Sequence, residues 1–171
     1  DYAVWTQNAM DALGISKPLV VAHSFGGRVA VKCLSRGDVF ERAVLTGCAG
    51  IVERRTLSYH VRVRAYRFVR AFAPKFAARR FGSREYRTLS PLMRESYKKI
   101  VNEDLRSDAE RIRVPVLFIH GTKDGAVPPA SVAVYLRAIR GSRVFWMEDC
   151  GHFAFLENPL AFNAAAEEFF Q

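Results

Sequence analysis

Val20-Val21-Ala22-His23-Ser24-Phe25-Gly26-Gly27 is the stretch on which the reading of this chain turns. The apolar run from Pro18 to Ala22 predicts a buried strand, and a helical segment begins at about Gly26. Between them stands Ser24, with Ala22 two residues before it and Gly26 two residues after. A strand that reverses sharply into a helix around an exposed side chain needs small residues at those two places, because larger Cβ substituents would collide with the adjoining turn. This is the pattern of a nucleophile elbow, G-x-S-x-G, with alanine in place of the first glycine. The plainer alternative is a serine that only caps the following helix.

Outward from the elbow the chain alternates helix and strand. Upstream, Trp5, Ala9, Ala12 and Leu13 recur at helical spacing, which predicts an amphipathic helix over residues 1–13, stopped by Gly14. The run Leu19 to His23 is apolar on both faces, as in a central strand of a parallel sheet. Downstream, Val29, Ala30, Cys33 and Leu34 mark the buried face of a helix reaching about Arg36. Arg42 to Thr46 is a second strand, ending at Gly47-Cys48-Ala49-Gly50. Helix, strand, helix, strand in this order predicts a parallel sheet flanked by helices, an α/β fold.

From Ile51 to about Arg111 no strand-like run is bounded by turns. Residues 56–73 and 90–104 read as helices joined near Phe81-Gly82-Ser83, the first carrying Tyr59, Tyr66, Phe68 and Phe72. The second carries Leu92, Met93, Tyr97, Ile100 and Val101. The expected organisation is an α/β core over 1–50 and 112–171 with a helical insertion over 51–111. The insertion's aromatic stripe either lines a pocket or packs onto the main body.

The sheet resumes at Val114 to His120, followed by the loop Gly121-Thr122-Lys123-Asp124-Gly125 and a helix opened by Pro128-Pro129. A last strand, Arg143 to Met147, leads into Glu148-Asp149-Cys150-Gly151-His152. The final helix opens with Asn158 as cap and Pro159 at its first position.

Composition bounds the reading. With 171 residues and 50% of them hydrophobic, one domain with a sizeable core is expected. The apolar runs are too short to span a bilayer. Three cysteines, Cys33, Cys48 and Cys150, have no metal-type spacing and read as free thiols of a reducing, cytoplasmic compartment. The net charge of +9 gathers in the arginines between Arg54 and Arg87. Without a nucleic-acid-binding motif, that charge reads as a solvated helical surface, and no nucleic-acid partner is expected.

Ser24, Asp124 and His152 each fall just past the carboxyl end of a predicted strand, the edge where open parallel sheets place ligand sites. A serine hydroxyl is a weak nucleophile until a base takes its proton. Imidazole does that near neutral pH, and a buried carboxylate holds the useful tautomer. Asp149 and Glu148 are rival acids, but as sequence neighbours of His152 they are poorly placed to reach Nδ1 from across the sheet. His23 and His120 stand at strand ends, as structural residues or as lining of the site.

The chain here resembles the α/β-hydrolase superfamily. Ala22-His23-Ser24-Phe25-Gly26-Gly27 is similar to its nucleophile elbow, Gly121-Thr122-Lys123-Asp124 with Val127-Pro128 to its acid loop, and Gly151-His152-Phe153 with Glu157-Asn158-Pro159 to its histidine loop and last helix. The resemblance implies Ser24 as nucleophile, Asp124 as acid, His152 as base and the Phe25 N–H as an oxyanion donor. It implies a partial α/β-hydrolase fold, with residues from about 51 to 111 as the cap. The family's early strands, and the loop that supplies a second oxyanion N–H, have no counterpart before Ser24, so the chain is expected to be the C-terminal portion of a longer hydrolase. The expected activity is cofactor-independent and metal-independent hydrolysis of a small ester or related acyl or carbon–carbon substrate. His23, Tyr66, Met93 and Tyr97 are the substrate-binding candidates. A non-catalytic ligand-binding or interaction protein on the same scaffold is the alternative, and oligomeric state is left open.

Overall fold

Alternation along the inner strands explains the layering of the molecule. In the computed structural model, which describes residues 1–52, 90, 93 and 99–171, four strands form one sheet in the order β1-β2-β3-β4: Val20–His23, Ala43–Thr46, Val116–Gly121 and Arg143–Met147. All three pairings are parallel. Ala43, Leu45, Val116 and Phe118 point to one face and join a core with Ala30, Val31 and Leu34. The residues between them, Val44, Leu117 and Ile119, point to the other face and meet Phe162, Ala165, Ala166 and Phe169. Strands buried on both faces read as continuous apolar runs, which is why β2 and β3 look as they do in the sequence.

The helices that cover these faces are α1 (Tyr2–Ala12), α2 (Phe25–Leu34), α3 (Arg106–Ala109), α4 (Pro129–Ala138), α5 (Ala154–Glu157) and α6 (Pro159–Phe170). α1 ends as its sequence predicts. Gly14 takes φ +66°, its N–H donates to Asp11 C=O, and Ile15 N–H reaches back to Met10 C=O. These two bonds are the Schellman pattern that ends a helix on glycine. α6 begins with the Asn158 side chain accepting from Ala161 N–H and Pro159 at the first position, also as predicted. β4 has the bounds read from the sequence.

One expectation is corrected. The stripe of α1 drawn through Trp5, Ala9, Ala12 and Leu13 is not its buried face. Trp5 is 70% exposed and Leu13 is exposed too, while Ala3 is the buried residue, against α2, where the Cys33 thiol donates to its carbonyl. Periodicity identifies a stripe, but the neighbour that α1 meets selects the adjacent one. β1, whose run is apolar on both faces, pairs on one side only among the described strands, and Val21 is exposed.

The described fold separates into two compact units, Asp1–Ile51 with Asp104–Gln171, and Val52–Glu103. The second unit is shorter than the insertion expected over 51–111. Residues 104–111 belong with the first unit because Leu105 and Ala109 are fully buried in its core. The arginine cluster, Tyr66, Tyr97 and most of the two helices expected there lie outside the described residues. No helix among the described residues is long and apolar enough to cross a membrane.

Candidate active site

Three loops at the carboxyl edge of the sheet build the site. The first is the turn from β1 into α2. Ser24 has φ 52° and ψ −109°, a conformation that residues with a Cβ rarely adopt. Its N–H donates to Thr46 C=O at 3.0 Å, which ties the turn to the end of β2. Although Ser24 occupies the cap position of α2, its side chain makes no capping bond. The hydroxyl instead stands 3.1 Å from His152 Nε2. The capping alternative is therefore set aside by the structure itself.

The elbow's glycines differ in what they demand. A Cβ on Gly26 would meet only Ala22 Cβ at 3.9 Å, an ordinary contact. A Cβ on Gly27 would lie 2.7 Å from Cys48 Sγ, so Gly27 is the position with no room for a side chain. Cys48 is itself fully enclosed, and burial pushes its thiol up to about 12, which leaves it a packing residue rather than a nucleophile.

The second loop follows β3. Asp124 is 4% exposed, yet its carboxylate is fully engaged. Oδ1 accepts from Ala126 N–H and Val127 N–H, each at 2.8 Å, and Oδ2 lies 2.8 Å from His152 Nδ1. Burial pushes this carboxyl up, but the Val127 N–H, the His152 ring and the Ala126 N–H together outweigh it and hold the group below the ordinary aspartate value. Asp124 thus stays ionised opposite the imidazole.

The third loop follows β4 and carries His152. With Nδ1 facing a carboxylate it donates there, so Nε2 presents its lone pair to the Ser24 hydroxyl. Backbone and side chains hold this loop from several directions. Lys123 N–H donates to Cys150 C=O at 2.9 Å, and Gly151 N–H donates to Glu157 Oε2 at 2.7 Å. His23 Nε2–H donates to the carbonyl of His152 at 3.0 Å, and the His23 ring packs beside His152, Phe153 and Phe155.

The structure therefore brings Ser24, Asp124 and His152 together and places His23 behind His152. Phe25 opens α2, so its N–H belongs to the first turn of the helix, where amides lack intrahelical acceptors. Its exposed ring stands edge-on to Tyr2, 5.2 Å away. Met93 is exposed and lies in the second unit; Tyr66 and Tyr97 are outside the described residues. The rival acid Asp149 pairs with Lys123 Nζ at 2.8 Å. Among the described residues no group of three or more His, Cys, Asp and Glu is placed to hold a metal ion.

Sequence reasoning placed two glycines at this edge without reading their steric role. Gly47, with φ +50°, stops β2 where a Cβ would lie 2.9 Å from His152 Nδ1 and Cε1. Gly121 ends β3 where a Cβ would lie 2.3 Å from the carbonyl oxygens of Cys150 and Gly151. The signal available was a glycine directly after each apolar strand; the reason for it, the close passage of the histidine loop, lies far along the chain.

Comparison with known proteins agrees with the fold. The profile of the Alpha/beta hydrolase family matches residues 1–165. A pimeloyl-[acyl-carrier protein] methyl ester esterase of Neisseria meningitidis is 34% identical over 77 residues, a match covering 45% of this chain and 30% of that esterase. The AB hydrolase superfamily protein YisY of Bacillus subtilis is 24% identical over 92% of this chain and 68% of its own length. Among solved structures, an esterase from Exiguobacterium antarcticum superposes with a TM-score of 0.72 at 23% identity, over 100% of this chain and 74% of that one.

Proposed function

The chain belongs to the alpha/beta hydrolase family, and from that premise we propose that it hydrolyses carboxylic esters, or related acyl or carbon–carbon bonds, with Ser24 as nucleophile, His152 as base and Asp124 as acid. One observation carries the reading: an unbroken line of two hydrogen bonds, Ser24 Oγ to His152 Nε2 at 3.1 Å and His152 Nδ1 to Asp124 Oδ2 at 2.8 Å.

The chemistry follows from that line. As Ser24 Oγ attacks the acyl carbon, His152 Nε2 takes its proton, and ionised Asp124 stabilises the imidazolium that forms. The Phe25 N–H donates to the oxygen of the tetrahedral intermediate, where a single such donor is worth about 10²–10³ in turnover. Collapse breaks the bond to the leaving group, which receives the proton from His152. Water then enters, gives a proton to His152 and attacks the acyl carbon, releasing the acid and restoring Ser24.

The substrate class is supported by the methyl ester esterase similar over part of this chain. Met93, Tyr66 and Tyr97 are kept as proposed substrate contacts. Three unpaired, buried thiols support a reducing, cytoplasmic setting.

A fluorophosphonate probe tests the proposal. The folded protein is expected to label and Ser24→Ala to lose all labelling, while a panel of acyl-chain lengths on p-nitrophenyl esters ranks substrates. Absence of labelling in the folded native protein would overturn the reading.

A further inference from the structure

His120 stands one residue before the end of β3 and is 1% exposed. Its Nε2 lies 3.0 Å from the carbonyl oxygen of Val127. A carbonyl only accepts, so Nε2 carries the proton and Nδ1 is left as the acceptor. No described group donates to Nδ1. An enclosed acceptor without a donor is unfavourable, and a residue needed only to fill this space beside Trp146, whose ring is edge-on at 5.9 Å, could be apolar without that cost. What the histidine supplies here that an apolar ring cannot is its Nε2–H.

What that N–H holds is the closing residue of the acid loop. We infer that His120 is a positioning residue for the acid: by fixing the Val127 carbonyl it aims the Val127 amide at Asp124 Oδ1 and so leaves Oδ2 facing His152. The inference rests on the reading of Ser24, Asp124 and His152 as a catalytic triad. The distances support the division of labour. Val127 N–H and Ala126 N–H both reach Oδ1 at 2.8 Å, and His152 Nδ1 reaches Oδ2 at 2.8 Å. His120 Nε2 is 3.7 Å from Oδ2, too far to hydrogen-bond and so no competitor for His152. The enclosure also keeps the ring neutral. Burial lowers its proton affinity below that of an ordinary histidine, against the opposing pull of the Val127 carbonyl and Asp124. A second ring proton would have no described acceptor.

The test compares His120→Phe, which keeps a ring and removes the donor, with His120→Gln, whose amide nitrogen reaches about as far as Nε2. Two readouts are taken on the intact protein: the rate of fluorophosphonate labelling per folded molecule, and the far-downfield proton resonance of the His152 Nδ1–H shared with Asp124. His120→Phe is expected to slow labelling about 10²-fold, the scale of a misplacement of roughly 1 Å, and to lose or shift the resonance. His120→Gln is expected to restore both. His120→Asn, whose amide stops short of Val127, replaces the Phe variant if the latter does not fold. A Phe or Asn variant with native labelling rate and native resonance would sink the inference. If the native protein does not label, the hydrolase reading fails, and the resonance alone still decides the role of His120.

Discussion

The strands that carry Ser24, the proposed nucleophile, and Asp124, the proposed acid, end at one edge of the sheet, yet they hold their loads in opposite ways. β3 is paired on both sides and buried along all six residues, and Asp124 beyond it is enclosed with three hydrogen bonds on its carboxylate. β1 is paired with β2 alone among the described strands, and Ser24 beyond it is only half-buried. The acid of a triad never has to meet substrate, so burial and hydrogen bonds can over-determine it. A nucleophile has to be reachable, and Ser24 takes its position from backbone geometry, a φ of 52° pinned by Thr46 C=O. Precision comes from enclosure on one side of the site and from a constrained turn on the other.

Removing the charge from the enclosed side should produce the largest effect. Asp124→Asn keeps the shape but offers His152 an amide, which permits the tautomer with the proton on Nε2, where Ser24 needs a lone pair. Turnover per titrated site is expected to fall about 10⁴-fold. The same variant has a pH signature. The native carboxyl titrates below its unfolded value, about 3.9, so its stabilisation is complete above that pH and is lost as pH falls through the lower folded value. The melting-temperature gap between native and Asp124→Asn should therefore shrink as pH drops below about 3.9. A gap that stays constant to low pH would mean that Asp124 gains nothing from its partners.

A smaller but decisive effect is expected where the two loops cross. A Cβ on Gly121 would lie 2.3 Å from the Cys150 and Gly151 carbonyl oxygens, and backbone atoms cannot swing aside as a flexible side chain can. Gly121→Ala should destabilise the fold by about 1–3 kcal/mol and displace His152 relative to Asp124. Labelling per folded molecule should then drop by about 10²-fold, beyond what thermal melting alone accounts for. Equal losses in folded fraction and in labelling would show that the crossing governs stability only.

How much of this was legible depended on how local the cause was. The bounds of β4 and the Asn158-Pro159 opening of α6 follow from neighbours in sequence, and both were read correctly. The gathering of Ser24, Asp124 and His152 at one edge was also legible, because a residue just past a parallel strand has its address set by the strand. Gly47 and His120 were not. The need for glycine at 47 comes from the His152 ring, and the use of His120 comes from a carbonyl seven residues on that only the folded loop brings back. The stripe of α1 failed for the same reason. Helical period shows that one side is apolar, but Ala3 rather than Trp5 is the residue that α2 meets.

The finest test of the contrast between the strands uses two valines that are register partners. Val21 on β1 and Val44 on β2 are aligned in the sheet, but Val21 is 52% exposed and Val44 is fully buried among Leu117, Ile119 and the α6 face. Valine to threonine preserves shape and β-branching, so strand propensity changes little and the difference reports solvation of the hydroxyl. Val44→Thr places that hydroxyl in an apolar layer and should cost about 1–3 kcal/mol. Val21→Thr places it in water and should stay within about 0.5 kcal/mol, both measured by urea denaturation of the 171-residue chain. The sign of the comparison is as useful as its size. If Val21→Thr costs as much as Val44→Thr, another surface covers β1, and the turn at Ser24 is held by packing as well as by its backbone.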